Sequence, residues 1–318
     1  MADHDAPLMA VIGNGIIGHG IAEIFAAAGW QVRLIGRSEE SLAAALRKIA
    51  ASLSEFAAHG LTNAARAEAA LARIATTTAL DDAAAASLVI EAVPEDMALK
   101  RDIFGRLDEI CAPAAVLASS SGHLASELVD KVRRRERVIA THFWYPPQLI
   151  PLVEVCAGPE TAPDLAPRVC GILRAVGKQP VVIDKEVAGF IGNRIQFAAL
   201  REAWTLWAAG IASAEAIDAV VRNSIGRRLG ITGPIESADI GGLDTMFNFA
   251  CFLQPNLDAS PLPPPQIAAL VGAGKRGLPS GAGIYDWSAR DGAALVAARR
   301  AELLRWLKED RAAAGGDR

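Results

Sequence analysis

The chain has 318 residues, a length typical of two domains, and a net charge of −4 with acidic and basic residues interspersed. Because no basic stripe is present to match a phosphate backbone, the sequence argues against a nucleic-acid partner and favours a small molecule. No stretch is long and apolar enough for a transmembrane helix, and residues 1–5 lack the basic start of a secretory signal. We therefore expect a cytoplasmic protein with no membrane partner.

The cysteines give no sign of a metal site. All four are far apart and form no C-x-x-C pair, which argues against structural zinc and a thioredoxin-like redox motif. They are Cys111, Cys156, Cys170 and Cys251. We expect core thiols and no bound metal.

Up to about Asp184, short β-branched runs alternate with alanine-rich helical stretches, a pattern typical of a doubly wound α/β domain with a parallel sheet. The predicted strands cover residues 8–12, 31–35, 73–77, 88–92, 115–119, 138–142, 152–156 and 179–183. Residues 38–71, between the second and third strands, predict a helical-hairpin insertion that turns at residues 59–60. Strand signals stop after Gly189, so we expect residues 1–186 to form the sheet domain and residues 187–318 an all-α domain.

A glycine-rich turn follows the first strand and opens a helix predicted over residues 16–28. Its residues are Gly13, Asn14, Gly15, Ile16, Ile17 and Gly18. In such a G-x-G-x-x-G sequence, the first glycine makes a tight turn, the second lets the backbone approach a pyrophosphate, and the third lets the helix pack on the strand. The N–H groups at the start of the helix then face the phosphates. The turn therefore predicts a bound dinucleotide, NAD or NADP.

The end of the second strand leaves the choice of dinucleotide open. An NAD site usually has a carboxylate there for the ribose hydroxyl, but this chain has Arg37 and Ser38 and no acid before Glu39. Arg37 and Ser38 suit a 2′-phosphate, which would favour NADP. In the alternative interpretation, Arg37 stacks on adenine or lies in solvent and Ser38 only caps the next helix.

A candidate acid–base pair lies at the sixth and seventh strands. His142 ends one strand, and Glu154 follows twelve residues later in the next. A carboxylate bonded to one imidazole nitrogen fixes the tautomer and leaves the other nitrogen to accept a hydroxyl proton. Taken alone, such a spacing is more typical of two unrelated residues, because imidazoles commonly bond nearby backbone.

Five segments in the same order resemble the 3-hydroxyacyl-CoA dehydrogenase superfamily. They are residues 13–18, residues 89–95, the block from 142 to 154, residues 189–194 and residues 281–287. Within it, residues 146–154 and 160–163 are most similar to the branch of L-gulonate 3-dehydrogenase (lambda-crystallin), L-carnitine dehydrogenase and a pyridine-alcohol dehydrogenase, which handle small hydroxy compounds. The resemblance implies a Rossmann-type domain, an all-α domain like the C-terminal domain of 6-phosphogluconate dehydrogenase, and a homodimer.

The resemblance also implies roles for six residues. It makes His142 the general base and Glu154 its partner. It makes Ser121 and Asn193 hydrogen-bond donors to the reacting oxygen. It places Glu95 and Lys100 beside the nicotinamide ribose.

Two departures from the family pattern bear on the substrate. The serine segment is one residue short, so Ser121 is only the best match among the serines at 119–121. The asparagine that usually precedes the first proline is replaced by Tyr145, which follows Trp144. These aromatic rings suit a planar ring or a quaternary ammonium group, or alternatively pack at a hinge between domains.

We predict an oxidoreductase that transfers a hydride from a secondary alcohol, such as a small 3-hydroxy acid, to NAD(P)+. An L-3-hydroxyacyl-CoA substrate is the second candidate. It is disfavoured because residues 50–56 lack the cations that family members place on the hairpin to meet the coenzyme. An alternative of another class is a catalytically silent dinucleotide-binding protein with a structural or redox-sensing role.

Overall fold

The computed structural model describes residues 6–316 and divides into two compact units. Of the described residues, 6–191 and 299–316 form the first unit, and Gly192–Ala298 forms the second. No helix within residues 6–316 has the length and apolarity that crossing a bilayer requires. The same residues contain no cluster of three side chains able to hold a metal ion.

The first unit is built on one eight-stranded sheet with the order β3-β2-β1-β4-β5-β6-β7-β8. The strands are β1 (Leu8–Ile12), β2 (Gln31–Ile35), β3 (Ile74–Thr77), β4 (Leu88–Glu91), β5 (Val116–Ser119), β6 (Val138–Phe143), β7 (Leu152–Ala157) and β8 (Gln179–Ile183). All neighbours pair in parallel except β6 and β7, which are antiparallel. The predicted Rossmann-type sheet is confirmed. The eight predicted strands lie within one or two residues of the observed ones.

Helices cover both faces of the sheet, and each face has its own apolar core. The helices of this unit are α1 (Gly18–Ala27), α2 (Glu39–Ala58), α3 (Ala64–Ala72), α4 (Met97–Ile110), α5 (Ala125–Leu128) and α6 (Leu165–Ala175). The central strands are buried on both sides, which explains their continuous β-branched sequences. The helices α2 and α3 are the predicted hairpin, and Gly60 makes its turn with a φ of 71°.

The second unit is helical, as the end of the strand signals predicts. Its helices are the greater part of α7 (Phe190–Ala208), then α8 (Ala214–Asn223), α9 (Ile225–Arg228), α10 (Pro234–Ile240), α11 (Leu243–Leu253) and α12 (Pro265–Gly272). The last helix, α13 (Gly292–Gly316), begins in this unit and continues into the first.

The C-terminal part of α13 is held on the first unit by apolar and charged contacts. Leu304 and Leu307 are buried in one cluster with Phe56 of α2. Arg300 Nε lies 2.8 Å from each carboxylate oxygen of Glu55. This ion pair is partly exposed, so we assign most of the stabilisation to the apolar cluster.

We expect Leu304→Ala to lower the free energy of unfolding of the first unit by about 2–4 kcal/mol, because it removes a fully buried side chain and leaves a cavity. Urea unfolding followed by circular dichroism measures this. The matched control is Leu99→Ala, a half-exposed leucine on α4, with an expected loss under about 1 kcal/mol. Equal losses for the two variants would show that α13 contributes little to the unit.

Candidate active site

The antiparallel pairing of β6 and β7 places His142 directly opposite Glu154. The imidazole Nδ1 lies 2.8 Å from Glu154 Oε2, and the side chains are 12% and 3% exposed. With an ionised carboxylate, Nδ1 carries the proton of this hydrogen bond. The other nitrogen, Nε2, is then left as an acceptor, which is what a general base needs.

Two further donors hold the Glu154 carboxylate. The Trp144 indole N–H donates to Oε2 at 3.1 Å, and the backbone N–H of Ile191 donates to Oε1 at 3.0 Å. Both carboxylate oxygens are therefore engaged, and the carboxylate orientation is fixed. From the sequence, Trp144 was predicted to contact the substrate or to pack at a hinge. Its hydrogen bond to Glu154 was not predicted.

A strained turn brings Phe190 to the site. Phe190 has a φ of 50°, a left-handed conformation that costs a non-glycine residue about 1–2 kcal/mol. Its ring is fully buried and lies 5.7 Å from the His142 ring, between centroids. The next N–H, that of Ile191, is the one that bonds Glu154. The turn thus packs against the imidazole and orients its partner. The only sequence signal for it was the family-like segment 189–194.

A second buried network lies at the ends of β4 and β5. Lys100 Nζ is fully buried and lies 2.8 Å from Glu91 Oε1 and 3.4 Å from Glu95 Oε2. Ser121 Oγ donates to Glu95 Oε2 at 2.8 Å, and Ser119 Oγ donates to Glu91 Oε2 at 2.6 Å. The structure therefore brings together Lys100, Glu95 and Ser121, three of the predicted site residues. Glu91 supplies the buried counter-charge for the ammonium group.

Two of the three candidate serines are thus engaged with carboxylates. The hydroxyl of Ser120 is buried and has no hydrogen-bond partner among residues 6–316. Tyr145 is 58% exposed, so its ring is available as a surface. Asn193 lies in the first turn of α7 and belongs to the second unit.

The glycine turn has the shape that a pyrophosphate requires. Gly13 has a φ of 104°, and a Cβ at this position would lie 2.6 Å from the Ala92 carbonyl oxygen. A Cβ on Gly18 would lie 1.8 Å from the Gly13 oxygen, whereas one on Gly15 would meet nothing within 4 Å. The first and third glycines are therefore needed for packing, and the second leaves open space for a ligand. The residues present fit a dinucleotide.

The helix after this turn begins later than predicted. The structure starts α1 at Gly18, whereas the sequence analysis placed the start at Ile16, which is 63% exposed. Residues 14–17 form the turn itself, because the chain must reverse before the close packing at Gly18. Asn14 Nδ2 donates to Ser41 Oγ at 3.0 Å and fixes the turn to α2.

At the end of β2, Ser38 has a clear local role. Its Oγ accepts the backbone N–H of Ser41 at 3.2 Å and caps α2. Arg37 is exposed, and its side chain forms no hydrogen bond or ion pair with a described residue. Of these two residues, Ser38 is engaged in capping the helix, and Arg37 has a side chain that is available to a bound nucleotide.

Two family models match the chain. Residues 8–187 match the 3-hydroxyacyl-CoA dehydrogenase NAD binding domain, and residues 189–287 match its C-terminal domain. The chain is 35% identical to 3-hydroxyadipyl-CoA dehydrogenase of Escherichia coli over 88% of its own length, and it spans 59% of that relative. It is also 35% identical to the lambda-crystallin homolog of Homo sapiens, with 74% of this chain and 75% of the relative covered.

A further relative matches at nearly full length. The 5-formyl-3-hydroxy-2-methylpyridine 4-carboxylate 5-dehydrogenase of Mesorhizobium japonicum is 31% identical, with 93% of this chain and 96% of the relative covered. A solved structure of an enzyme of that name, described as an NAD+ dependent dismutase, superposes with a TM-score of 0.88 at 29% identity and covers 96% of this chain and 99% of its own. The resemblance found in the sequence is confirmed, and the chain belongs to the 3-hydroxyacyl-CoA dehydrogenase family of NAD-dependent dehydrogenases that act on hydroxyl groups.

Proposed function

We propose that this protein oxidises a secondary alcohol on a small polar compound, with His142 as general base and Glu154 as the residue that orients it. The observation that carries the proposal is the 2.8 Å contact between His142 Nδ1 and Glu154 Oε2. It leaves Nε2 as the acceptor for the hydroxyl proton. The alternative of a silent dinucleotide-binding protein gives no reason for a carboxylate held by an imidazole, an indole and a backbone N–H.

Each residue of the site then has a defined task. A bound nicotinamide accepts the hydride from the carbinol carbon. His142 Nε2 takes the hydroxyl proton, and Glu154 stabilises the imidazolium that forms. Ser121 and Asn193 are the proposed donors to the reacting oxygen, where charge develops as the carbonyl forms. Glu95 is held by Ser121 and Lys100 at the edge where we propose the nicotinamide ribose binds.

Two observations support a small substrate over an acyl-CoA. On α2, Glu55 pairs with Arg300 and Phe56 packs in the α13 cluster. These hairpin side chains are therefore engaged within the protein and not available to the coenzyme of an acyl-CoA. The full-length superposition with a pyridine-compound dehydrogenase supports a planar, carboxylate-bearing substrate, and the exposed ring of Tyr145 suits such a compound. The match to 3-hydroxyadipyl-CoA dehydrogenase makes an acyl-CoA the second candidate.

We also propose that the protein is a cytoplasmic homodimer. The second unit exposes large apolar side chains on α11, including Phe247, Phe249 and Phe252, which are 63–70% exposed. Contiguous exposed apolar residues of this size are typical of a surface that another chain covers.

We expect His142→Ala to lower kcat by a factor of about 10²–10⁴ on any hydroxy compound that wild type oxidises, because the base is lost. The assay follows reduced-cofactor absorbance with a panel of hydroxy acids, pyridine alcohols and 3-hydroxybutyryl-CoA. The dissociation constant for NAD should stay within about twofold of wild type, since the substitution leaves the glycine turn unchanged. If wild type binds NAD but no member of the panel is turned over, the silent alternative replaces this proposal.

Trp144→Phe keeps an aromatic ring but removes the indole N–H that Glu154 accepts. A lost hydrogen bond to a charged group is worth about 1.5–3 kcal/mol, so we expect kcat to fall by roughly tenfold or more. The KM for NAD should not change. Trp306→Phe, the same change at a half-exposed position on α13, is the control. An unchanged kcat in Trp144→Phe would show that the indole is not needed to orient Glu154.

The family match establishes NAD, and we propose that Arg37 also admits NADP. Because Arg37 is exposed and lacks a carboxylate neighbour at the strand end, it is able to meet a 2′-phosphate. In Arg37→Ala the dissociation constant for NADP should rise about tenfold or more, while that for NAD stays within about twofold. Fluorescence titration of the reduced cofactors measures both. An NADP affinity that survives the substitution would remove Arg37 from the cofactor site.

A further inference from the structure

A cavity of about 500 Å³ lies within the first unit. Its walls come from α1, from the hairpin helices α2 and α3, from the end of α6 and the turn before β8, and from the end of α13. No residue of the glycine turn lines it, and neither do His142 and Glu154. The volume falls within the range of about 300–1,000 Å³ that is typical of ligand sites.

Four cationic side chains line this cavity, and none forms an ion pair with any other residue in the part of the chain that the structure describes: Arg66, Arg174, Lys178 and Arg311. Lys178 is the most enclosed of them, at 7% exposed. Its Nζ donates to the carbonyl oxygens of Pro147 and Ile150 and forms no ion pair with a described carboxylate, although the charge of Glu23 acts on it from a longer distance. Burial, and then the charge of Arg311, lower the pKa of Lys178 to about 8. A buried ammonium group without a counter-ion is costly, and a bound anion would offset that cost.

The one buried acid in the cavity does not balance these charges. Glu23 is 2% exposed; Ser52 Oγ donates to its Oε1 at 2.8 Å, and its Oε2 has no hydrogen-bond partner among the described residues. Burial raises the pKa of Glu23 to about 7, so the carboxyl is only partly ionised at neutral pH. Asp310, the other acid in the lining, is exposed. The cavity therefore has an excess of positive charge and an unused polar atom on Glu23.

Most of the remaining wall is apolar. Ile24, Leu53, Phe56, Leu61 and Leu307 all line the cavity. Inorganic phosphate or another fully polar ion leaves such walls uncovered, whereas a molecule with an apolar body covers them.

We propose that this cavity is a binding site for a small organic anion, whose carboxylate is held by Lys178, Arg174 and Arg66 while its apolar body packs against α2 and α13. The protonated Glu23 carboxyl, or the acceptor that remains when it is ionised, satisfies a polar group on the ligand. This site is separate from the site of hydride transfer, so it does not depend on the proposed reaction.

The test uses 2-naphthoate and its neutral analogue 2-naphthamide as probes, with isothermal titration calorimetry on the full chain. Wild type should bind naphthoate at least tenfold more tightly than naphthamide, because charge on the ligand meets the unpaired cations. In Arg66→Gln/Arg174→Gln the naphthoate dissociation constant should rise at least tenfold. These two residues are exposed and their side chains form no hydrogen bond or ion pair with a described residue, so the fold is expected to survive.

The matched control is Arg47→Gln/Lys308→Gln, which removes two charges from exposed positions on α2 and α13 outside the cavity. Its naphthoate affinity should stay within twofold of wild type. Equal losses in the two double variants would indicate a general effect of net charge and overturn the site. The site is also overturned if wild type binds neither probe at 10 mM (roughly the weakest binding of interest) or binds both equally.

A pH series gives a second, independent readout. The charged groups that line the cavity or act on Glu23 are Glu23, Glu55, Asp310, Arg66, Arg174, Lys178, Arg300 and Arg311. Of these, Glu23 and Lys178 have pKa values near neutrality, about 7 and about 8, and burial also lowers the pKa of Arg311. An anion favours protonated Glu23 and charged Lys178, so affinity should rise as the pH falls from 9 to 6.

Glu23→Gln should remove the part of this dependence below pH 7.5 (roughly the upper limit of the Glu23 transition) and still bind naphthoate. Binding that strengthens as the pH rises would contradict the proposal, because it would require the ligand to prefer ionised Glu23.

Discussion

The candidate site depends on one feature of the sheet, the antiparallel register between β6 and β7. The connection 144–151 is too short for a crossover to a parallel strand, which takes about a dozen residues or more, so the chain returns alongside itself. In the resulting register His142 and Glu154 are direct cross-strand neighbours on the same face. A shift by one residue would turn the two side chains to opposite faces. The pairing of the strands therefore sets the contact between base and carboxylate.

Two further hydrogen bonds fix the Glu154 carboxylate in the orientation that meets His142. The indole of Trp144 and the N–H of Ile191 reach the carboxylate from the segments that follow β6 and precede α7. The left-handed Phe190 allows this, because its conformation directs the ring towards His142 and the next N–H towards Glu154. The cost of the turn is offset by a buried aromatic side chain and a bond to a charged group.

Buried charges in the first unit are handled in two ways. Lys100 has Glu91 as a close partner, and Asp108 has Arg137 at 2.7 Å. Although burial by itself would raise the pKa of Asp108, the Arg137 guanidinium and the Arg133 N–H hold it below its ordinary value. Among the described residues, the hydrogen-bond partners of Lys178 are two backbone carbonyls, and Glu23 acts on it only from a longer distance. Because Lys178, unlike Lys100 and Arg137, forms no close ion pair with a described residue, it is the buried cation that an external anion would stabilise.

Much of the fold was predictable from sequence, because strands buried on both faces need continuous β-branched runs and the glycine turn has few physical alternatives. The role of Trp144 was not predictable, since an indole N–H bonds whichever acceptor the tertiary structure brings to it. The left-handed Phe190 was also missed, because the conformation is imposed by packing and not by residue type. The return of α13 to the first unit was not predicted, because the sequence of an amphipathic helix does not indicate which surface the helix covers.

The C-terminal part of α13, which lies beside the cavity, also contacts the segment that joins β6 and β7. Leu304 and Leu307 of α13 pack in one cluster with Leu149, which belongs to the segment between β6 and β7. Lys178 binds two carbonyls of the same segment, and Gln148 of that segment lines the cavity. An anion bound by Lys178 would therefore lie beside the segment that joins the two strands, while the strand register keeps His142 opposite Glu154.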